Sequence, residues 1–309
     1  MIIREYYQPG ASDPVLNADF VLSLARRHLD TATRVTGIDE SGGEARVYFI
    51  DDQVAMKTQR PQQLRSWTSL SKEILFLNQI AEDEPTLPVP RVLGYGHEGS
   101  VEYTLMTRMA GDAAVRAGIP DGKKAETLGE LGRVVRRIHA IHQEPLTTSG
   151  QFPDEFTSAD LKTSLQEDIE DFARRLTDKP GGWPLETTSD ALLKKILQRV
   201  PESDWPVVLH SNPGPTHTFV DPLTGAFRGL IDFGDAYIGH PVFDLWQWSE
   251  PDAREAVLSG YLNAGNPLPE EFWSMWSIAQ VISDFVAVMR ERPYAEKSLL
   301  HLKDVTRAW

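Results

Sequence analysis

Apolar residues fall at helical spacing over residues 16–29, where Leu16, Phe20, Val21, Leu24 and Ala25 share a face behind Asn17, a capping residue type. Short strands are predicted next at 32–38, 45–50 and 53–58, separated by the turn-forming stretch 39–43 (Asp-Glu-Ser-Gly-Gly) and by Asp51 and Asp52. The spacing of Leu70, Glu73, Ile74, Leu77 and Ile80 predicts a helix over 69–80. Pro85, Pro88 and Pro90 then break the chain before two further strands, 91–95 and 101–109. Strands, one helix and strands again describe a small sheet carrying a helix, not a parallel βαβ array.

Beyond Gly111 the period becomes helical. Leu128, Leu131, Val134, Val135, Ile138 and Ile141 mark an amphipathic helix over 125–142. Helices at 158–176 and 189–200 follow, split by the turn-rich stretch 178–184, which includes Pro180, Gly181 and Gly182. Short strands are expected at 207–209, 219–221 and 228–231, and the chain is helical from Asp244 onward, with Trp246, Trp248, Trp273 and Trp276. The fold class is α+β: a small antiparallel-sheet lobe, residues 1–110, joined by a single crossing near 110–112 to a larger, mostly helical lobe, residues 111–309.

Composition narrows the chemistry. The chain has 309 residues, enough for two lobes with a large core. A formal net charge of −14 argues against nucleic acid as a partner, since phosphate backbones select basic surfaces. The same acidity keeps a protein soluble and equally suits a cationic substrate. With no cysteine, disulfides, thiolate metal sites and a cysteine nucleophile are all excluded, in keeping with a reducing cytoplasm. The first ten residues lack the apolar core of a signal peptide, and no uninterrupted run approaches the roughly 18 apolar residues of a membrane span. No membrane partner is expected, and the predicted location is cytoplasmic.

Two motifs stand out. One runs His210-Ser211-Asn212-Pro213-Gly214-Pro215-Thr216-His217; the other is Ile231-Asp232-Phe233-Gly234-Asp235. Asn212 precedes His217 by five positions and Asp232 by twenty. This resembles the aminoglycoside phosphotransferase and choline kinase family, relatives of the protein kinases, whose catalytic loop reads roughly His-Gly-Asp-Leu-His-Pro-Gly-Asn and whose metal strand reads Ile-Asp-Phe-Gly-Asp. The second motif matches letter for letter; the first matches at His210 and Pro215. The resemblance extends over nearly the whole chain. It implies a bilobal protein-kinase-like fold, ATP (or GTP) and Mg2+ as cofactors, and a small hydroxylated acceptor as the other partner.

Carried over residue by residue, the resemblance implies that Asp232 bridges metal and phosphates, a role suited to a hard carboxylate ligand. His217 stands where most of the family has Asn, and is implied to touch metal or phosphate. His210 is implied to brace the loop. Asn212 occupies the place of the catalytic carboxylate; it can hydrogen-bond an acceptor hydroxyl but takes no proton at neutral pH. Lys57, closing Val54-Ala55-Met56-Lys57, resembles the kinase lysine that meets the phosphates, with Glu73 as its ion-pair partner. Ser41, Gly42 and Gly43 are either a phosphate-covering loop or a plain hairpin turn, with Asp39 and Glu40 unfavourably placed if they face phosphate. Residues 105–109 are implied to read the adenine edge through backbone at Thr107 and Met109, with Met106 and Ile231 as apolar walls. Asp244 is implied to be structural.

The acceptor stays open among aminoglycoside-like, macrolide and choline-like molecules, the first being favoured. Glu167, Asp168, Glu170 and Asp171 suit a polyamine or are a solvated helix face. The tryptophans are either an aromatic cage or core. A nucleotide-binding pseudokinase is the alternative that Asn212 raises. A protein kinase is disfavoured by the lack of an Ala-Pro-Glu segment after Asp232, and a metal hydrolase by the lack of His-Glu-x-x-His; no Walker motif is present.

Overall fold

The computed structural model describes residues 6–7, 10, 12–65, 68–153, 158–179, 181–201, 206–265 and 267–309. Pro180 of the expected 178–184 turn lies outside these residues, as does most of the 1–10 stretch.

The first helix, Ala18–Ala25, starts where the Asn17 side chain accepts from the Phe20 N–H at 2.9 Å, satisfying one of the open amides of a helix start. Its buried face, Val21 and Leu24, packs with Tyr48, Ile50, Met56, Tyr103 and Leu105. Those residues come from an antiparallel five-stranded sheet ordered Val35–Asp39, Ala45–Ile50, Val54–Gln59, Val101–Thr107, Val92–Glu98. In Val54–Gln59 burial alternates residue by residue, so Val54, Met56 and Thr58 enter one face while Lys57 stands on the other, on the side of Ala55. The helix Leu70–Asp83 begins at Ser69, whose hydroxyl accepts from Lys72 N, and it buries Glu73, Phe76, Leu77 and Ile80. Ser69 and Asn17 act as the caps their residue types suggest. Strand ends shift by a few residues from expectation: Arg108 and Met109 have left the sheet, and Arg108 N donates to Gln53 O at 2.8 Å.

In the helical part, Asp121–His139 lies against Pro251–Asn263 at backbone contact. A Cβ on Gly132 would sit 1.9 Å from the Val257 carbonyl oxygen, and one on Gly260 1.9 Å from that of Gly129. Helices Ser158–Thr177, Ser189–Arg199, Glu270–Met289 and Ala295–Arg307 complete the core. Two small sheets carry the motifs. Thr218–Val220 lies between Phe227–Leu230 and Asp112–Ala113, and Tyr237–Gly239 pairs with Val207–Leu209. The segments Asp112–Ala113 and Tyr237–Gly239 were not expected as strands; each is held by its partner across the fold, not by its own propensity. Gly111, at the crossing, has φ +88°, and a Cβ there would lie 2.3 Å from the Val220 oxygen, so only glycine fits. Sheet with one helix, crossing and helical region together form the bilobal kinase-like fold.

One helix, Glu270–Met289, is long and apolar enough to cross a membrane by length and composition, with 61% of its window buried inside the protein. Ser277, Gln280, Ser283 and Asp284 interrupt it, so it holds no unbroken apolar run. In the fold those polar residues lie within or beside the helical core: Gln280, Ser283 and Asp284 are all buried.

Candidate active site

A cleft of about 560 Å³ opens between the sheet and the helical lobe. Lys57 reaches into it from its strand. Its ammonium donates to both Glu73 oxygens, at 2.8 and 2.9 Å, and to Asp232 Oδ1 at 2.7 Å. Burial alone would lower the Lys57 pKa, but the charges of Asp232 and Glu73 more than reverse this and hold it above its ordinary value. Burial likewise opposes ionisation of Asp232, yet Lys57 and then His217 hold its carboxyl well below the usual range. Burial pushes Glu73 up against the direct pull of Lys57. The Glu73 carboxylate also accepts from Phe233 N at 3.2 Å, which ties the helix to the Asp-Phe-Gly turn.

The loop carrying Asn212 is held from below. Asp244, itself buried, accepts from the backbone N–H groups of His210 and Ser211, both at 2.8 Å, and pairs with His139 Nε2 at 3.0 Å. His210 is buried, with Nε2 donating to Ile231 O at 2.9 Å and Nδ1 accepting from Asn212 N at 3.2 Å. That pattern requires the neutral ring protonated on Nε2. Burial lowers the His210 pKa to about 4, consistent with a neutral imidazole. His217 Nδ1 sits 2.9 Å from the Asn212 carbonyl, leaving Nε2 3.3 Å from Asp232 Oδ2. The Asn212 side chain lines the cleft and forms no hydrogen bond among the described residues. Ser211, where the resemblance has Gly, has φ +80°, and Asp232 has φ +72°.

The cleft thus gathers Lys57, Glu73, Ser41, Gly42, Gly43, Asn212, His217, Ile231 and Asp232. It does not include Met106, Thr107 or Met109. Met106 is 4% exposed and belongs to the apolar core, and the Thr107 N–H is taken by Arg91 O at 2.9 Å. His210 stands behind the wall. Of the carboxylates beside the glycines, Asp39 lines the cleft and accepts from Ser41 N and Oγ, while Glu40 stands outside it and accepts from Arg46. Asp235, the last residue of the second motif, also lines the cleft, as do Thr68, Arg116 and Phe219, which no sequence pattern singled out. Arg116 pairs with Asp112, and Thr68 donates to Asp235 at 2.6 Å.

Neither acceptor feature considered from sequence forms part of this cleft. Asp171 is paired with Arg174 and Arg175, while Glu167 and Glu170 are exposed on the Ser158–Thr177 helix. The tryptophans do not form a cage: Trp248 and Trp276 are buried and Trp273 is 43% exposed.

A kinase-like fold with a lysine, a buried glutamate and an Asp-Phe-Gly aspartate converging on one cleft defines a phosphotransferase class. The sequence profile of the phosphotransferase enzyme family matches residues 35–272, and the chain belongs to that family. Among solved structures, the GDP complex of wild-type aminoglycoside 2'-phosphotransferase-IIIa is 17% identical with a TM-score of 0.63, over 95% of this chain and 99% of that one. An ADP-bound aminoglycoside phosphotransferase, APH(2'')-Ib, is 13% identical with a TM-score of 0.57, over 93% and 97%. Spectinomycin phosphotransferase in complex with ADP and spectinomycin is 12% identical with a TM-score of 0.56, over 94% and 95%. At these identities the likeness is one of fold.

Proposed function

We propose that the protein is an ATP- (or GTP-) and Mg2+-dependent O-phosphotransferase for a small hydroxylated molecule, an aminoglycoside-like acceptor being favoured. The observation that carries this reading is the convergence of Lys57, Glu73, Asn212, His217 and Asp232 on one cleft. Lys57, aimed by Glu73, meets the nucleotide phosphates. Asp232 and His217 present an oxygen and a nitrogen 3.3 Å apart, a donor pair that would hold a divalent cation, which when bound neutralises phosphate charge. His210 and Asp244 fix the loop that carries Asn212.

Asn212 orients the acceptor hydroxyl through its amide. The acceptor oxygen bonds to the γ-phosphorus as the bond to the bridging oxygen breaks. The nucleoside diphosphate leaves, and the hydroxyl proton passes to solvent, since Asn212 accepts none. Because positioning supplies much of the catalysis of this reaction, the amide slows turnover without removing it. The lobes 1–110 and 111–309 close on the nucleotide about Gly111. The net charge of −14 favours a cationic acceptor, and the aminoglycoside and spectinomycin enzymes sharing the fold set the first acceptors to try.

The test is Mg2+-dependent ADP release by this chain and by Asn212→Asp, side by side, over aminoglycosides, macrolides and choline analogues. The expected result is release by both on one acceptor class, faster in Asn212→Asp by about 10²–10⁴-fold. ATP binding with no release from either, on any acceptor, would replace this reading with a nucleotide-binding pseudokinase. Failure to bind ATP or GTP at all would overturn both.

A further inference from the structure

We infer that Asp13 and Arg60 are positioning residues that set the Ser41–Gly43 loop for phosphate, an inference resting on the nucleotide reading above. Arg60 lies under the loop and its guanidinium makes contacts in three directions. Nε donates to Asp13 Oδ2 at 2.8 Å, and one terminal nitrogen donates to the Gly42 carbonyl at 3.2 Å. With the Gln63 amide oriented to satisfy its neighbours, the other terminal nitrogen donates to the Gln63 oxygen at 2.8 Å, while the Gln63 NH2 donates to the Gly43 carbonyl at 2.6 Å. Two successive carbonyls of the loop are thereby pulled toward the same support.

The consequence follows from peptide geometry. The bond between Gly42 and Gly43 is trans, and in a trans peptide the carbonyl and the next N–H point in opposite directions. A Gly42 carbonyl drawn toward Arg60 turns the Gly43 N–H away from Arg60. Gly42 and Gly43 line the cleft and Arg60 does not. The Gly43 N–H has no hydrogen-bond partner among the described residues. It is an amide donor presented to the cleft, of the kind that binds phosphate oxygens.

Asp13 is what keeps Arg60 in place. Its side chain is 9% exposed and sits between Arg60 and Arg46, whose guanidinium it also accepts from at 3.0 Å. Arg46 in turn holds Glu40, at the start of the loop, at 2.8 Å. Burial works against the Asp13 charge, but hydrogen bonds from Arg60 and Arg46 prevail and hold its carboxyl below the usual range. A segment ahead of the first helix therefore reaches the phosphate-facing loop through one carboxylate and two arginines. A guanidinium fork is needed for this, because an ammonium is a point charge that cannot serve three partners in one plane.

Titration calorimetry of Mg·ATP and of adenosine, with the wild-type chain, Asp13→Asn, Arg60→Lys and Asp13→Glu, tests the assignment; a melting curve for each variant checks folding. The expected result is an ATP affinity lowered about tenfold in Asp13→Asn and Arg60→Lys, the worth of about one hydrogen bond, with adenosine changed less than about twofold. Asp13→Glu restores most of the ATP affinity. Equal losses for ATP and adenosine would make the pair merely structural and overturn the assignment, as would unchanged ATP affinity in folded variants. Should Asp13→Asn fail to fold, Arg60→Lys, which keeps a positive charge under the loop, carries the comparison. A wild-type chain that binds neither ligand removes the nucleotide reading itself, an outcome distinct from loss in the variants alone.

Discussion

Two clusters in this molecule use the same ingredients to different ends. In the cleft, Lys57 stands between Glu73 and Asp232; in the helical core, Arg254 stands beside Asp284, which also meets His301 at 2.6 Å. Arg254 and Asp284 are both 0% exposed, and Ser283 Oγ and the Ser249 carbonyl take up further guanidinium donors at 2.8 and 2.9 Å. Asp232, by contrast, is 41% exposed, and the Asn212 side chain, without a hydrogen bond among the described residues, lines the same cleft. In the core cluster both terminal nitrogens of Arg254 and both oxygens of Asp284 are spent on other parts of the protein, and the Arg254 Nε that lacks a partner is buried away from any ligand. The cleft cluster keeps capacity to spare, and that difference separates a site from a brace.

The comparison can be broken first at its largest effect. Arg254→Met strands a buried carboxylate and is expected to cost about 3–5 kcal/mol in urea denaturation. Lys57→Met is expected to cost less than that, because Asp232 opens to water and the buried Glu73, whose pKa burial already raises, can take up a proton, while ATP affinity falls severely. Equal stability losses would show that both clusters are braces.

Next comes pH. Buried His210 and His240 each have a pKa lowered from the ordinary histidine value to about 4, chiefly by burial. An unfolded chain therefore takes up these protons before the folded one does. Their stabilising effect is full above about pH 6.5 and is lost as the pH falls through about 4, on the order of 3 kcal/mol for each ring at full extent. Urea midpoints measured from pH 7 to 4 should fall, and His210→Gln should flatten the curve; an unchanged slope would contradict the neutral-ring assignment.

The smallest effect is at Ser211. Its φ of +80° is strained for serine, so Ser211→Gly should raise stability by about 0.5–1 kcal/mol in the same denaturation assay, net of the extra freedom glycine gains when unfolded. A loss of stability would mean that the hydroxyl makes a contact outweighing the strain.

What was legible in the sequence follows the range of the forces involved. Residues 45–50 and 207–209 are strands with the bounds that alternation and apolar runs suggest, and Asn17 and Ser69 cap helices as their short polar side chains allow. Tyr237–Gly239 carried no such signal, because its strand exists through pairing with Val207–Leu209. At the site, motif spacing nominated Asn212, His217 and Asp232, and a kinase-like strand followed by a helix nominated Lys57 and Glu73; the fold brings all five to one cleft. Thr68 and Arg116 escaped notice, since each is an ordinary polar residue until another segment packs beside it. Met106 was nominated by the resemblance and not by any pattern of its own, and in the fold it is 4% exposed among apolar neighbours.

The pair between Lys57 and Asp232 joins positions 175 apart in the chain. At about 5–20 residues per second, a ribosome delivers the second partner roughly 9–35 s after the first. Glu73 arrives only 16 positions after Lys57, and the last strand of the sheet that carries the lysine ends at Thr107, well before the Asp-Phe-Gly turn. The lysine is thus held by a nearby carboxylate while the rest of the chain is synthesised, and the site is completed when the Asp-Phe-Gly turn emerges and docks.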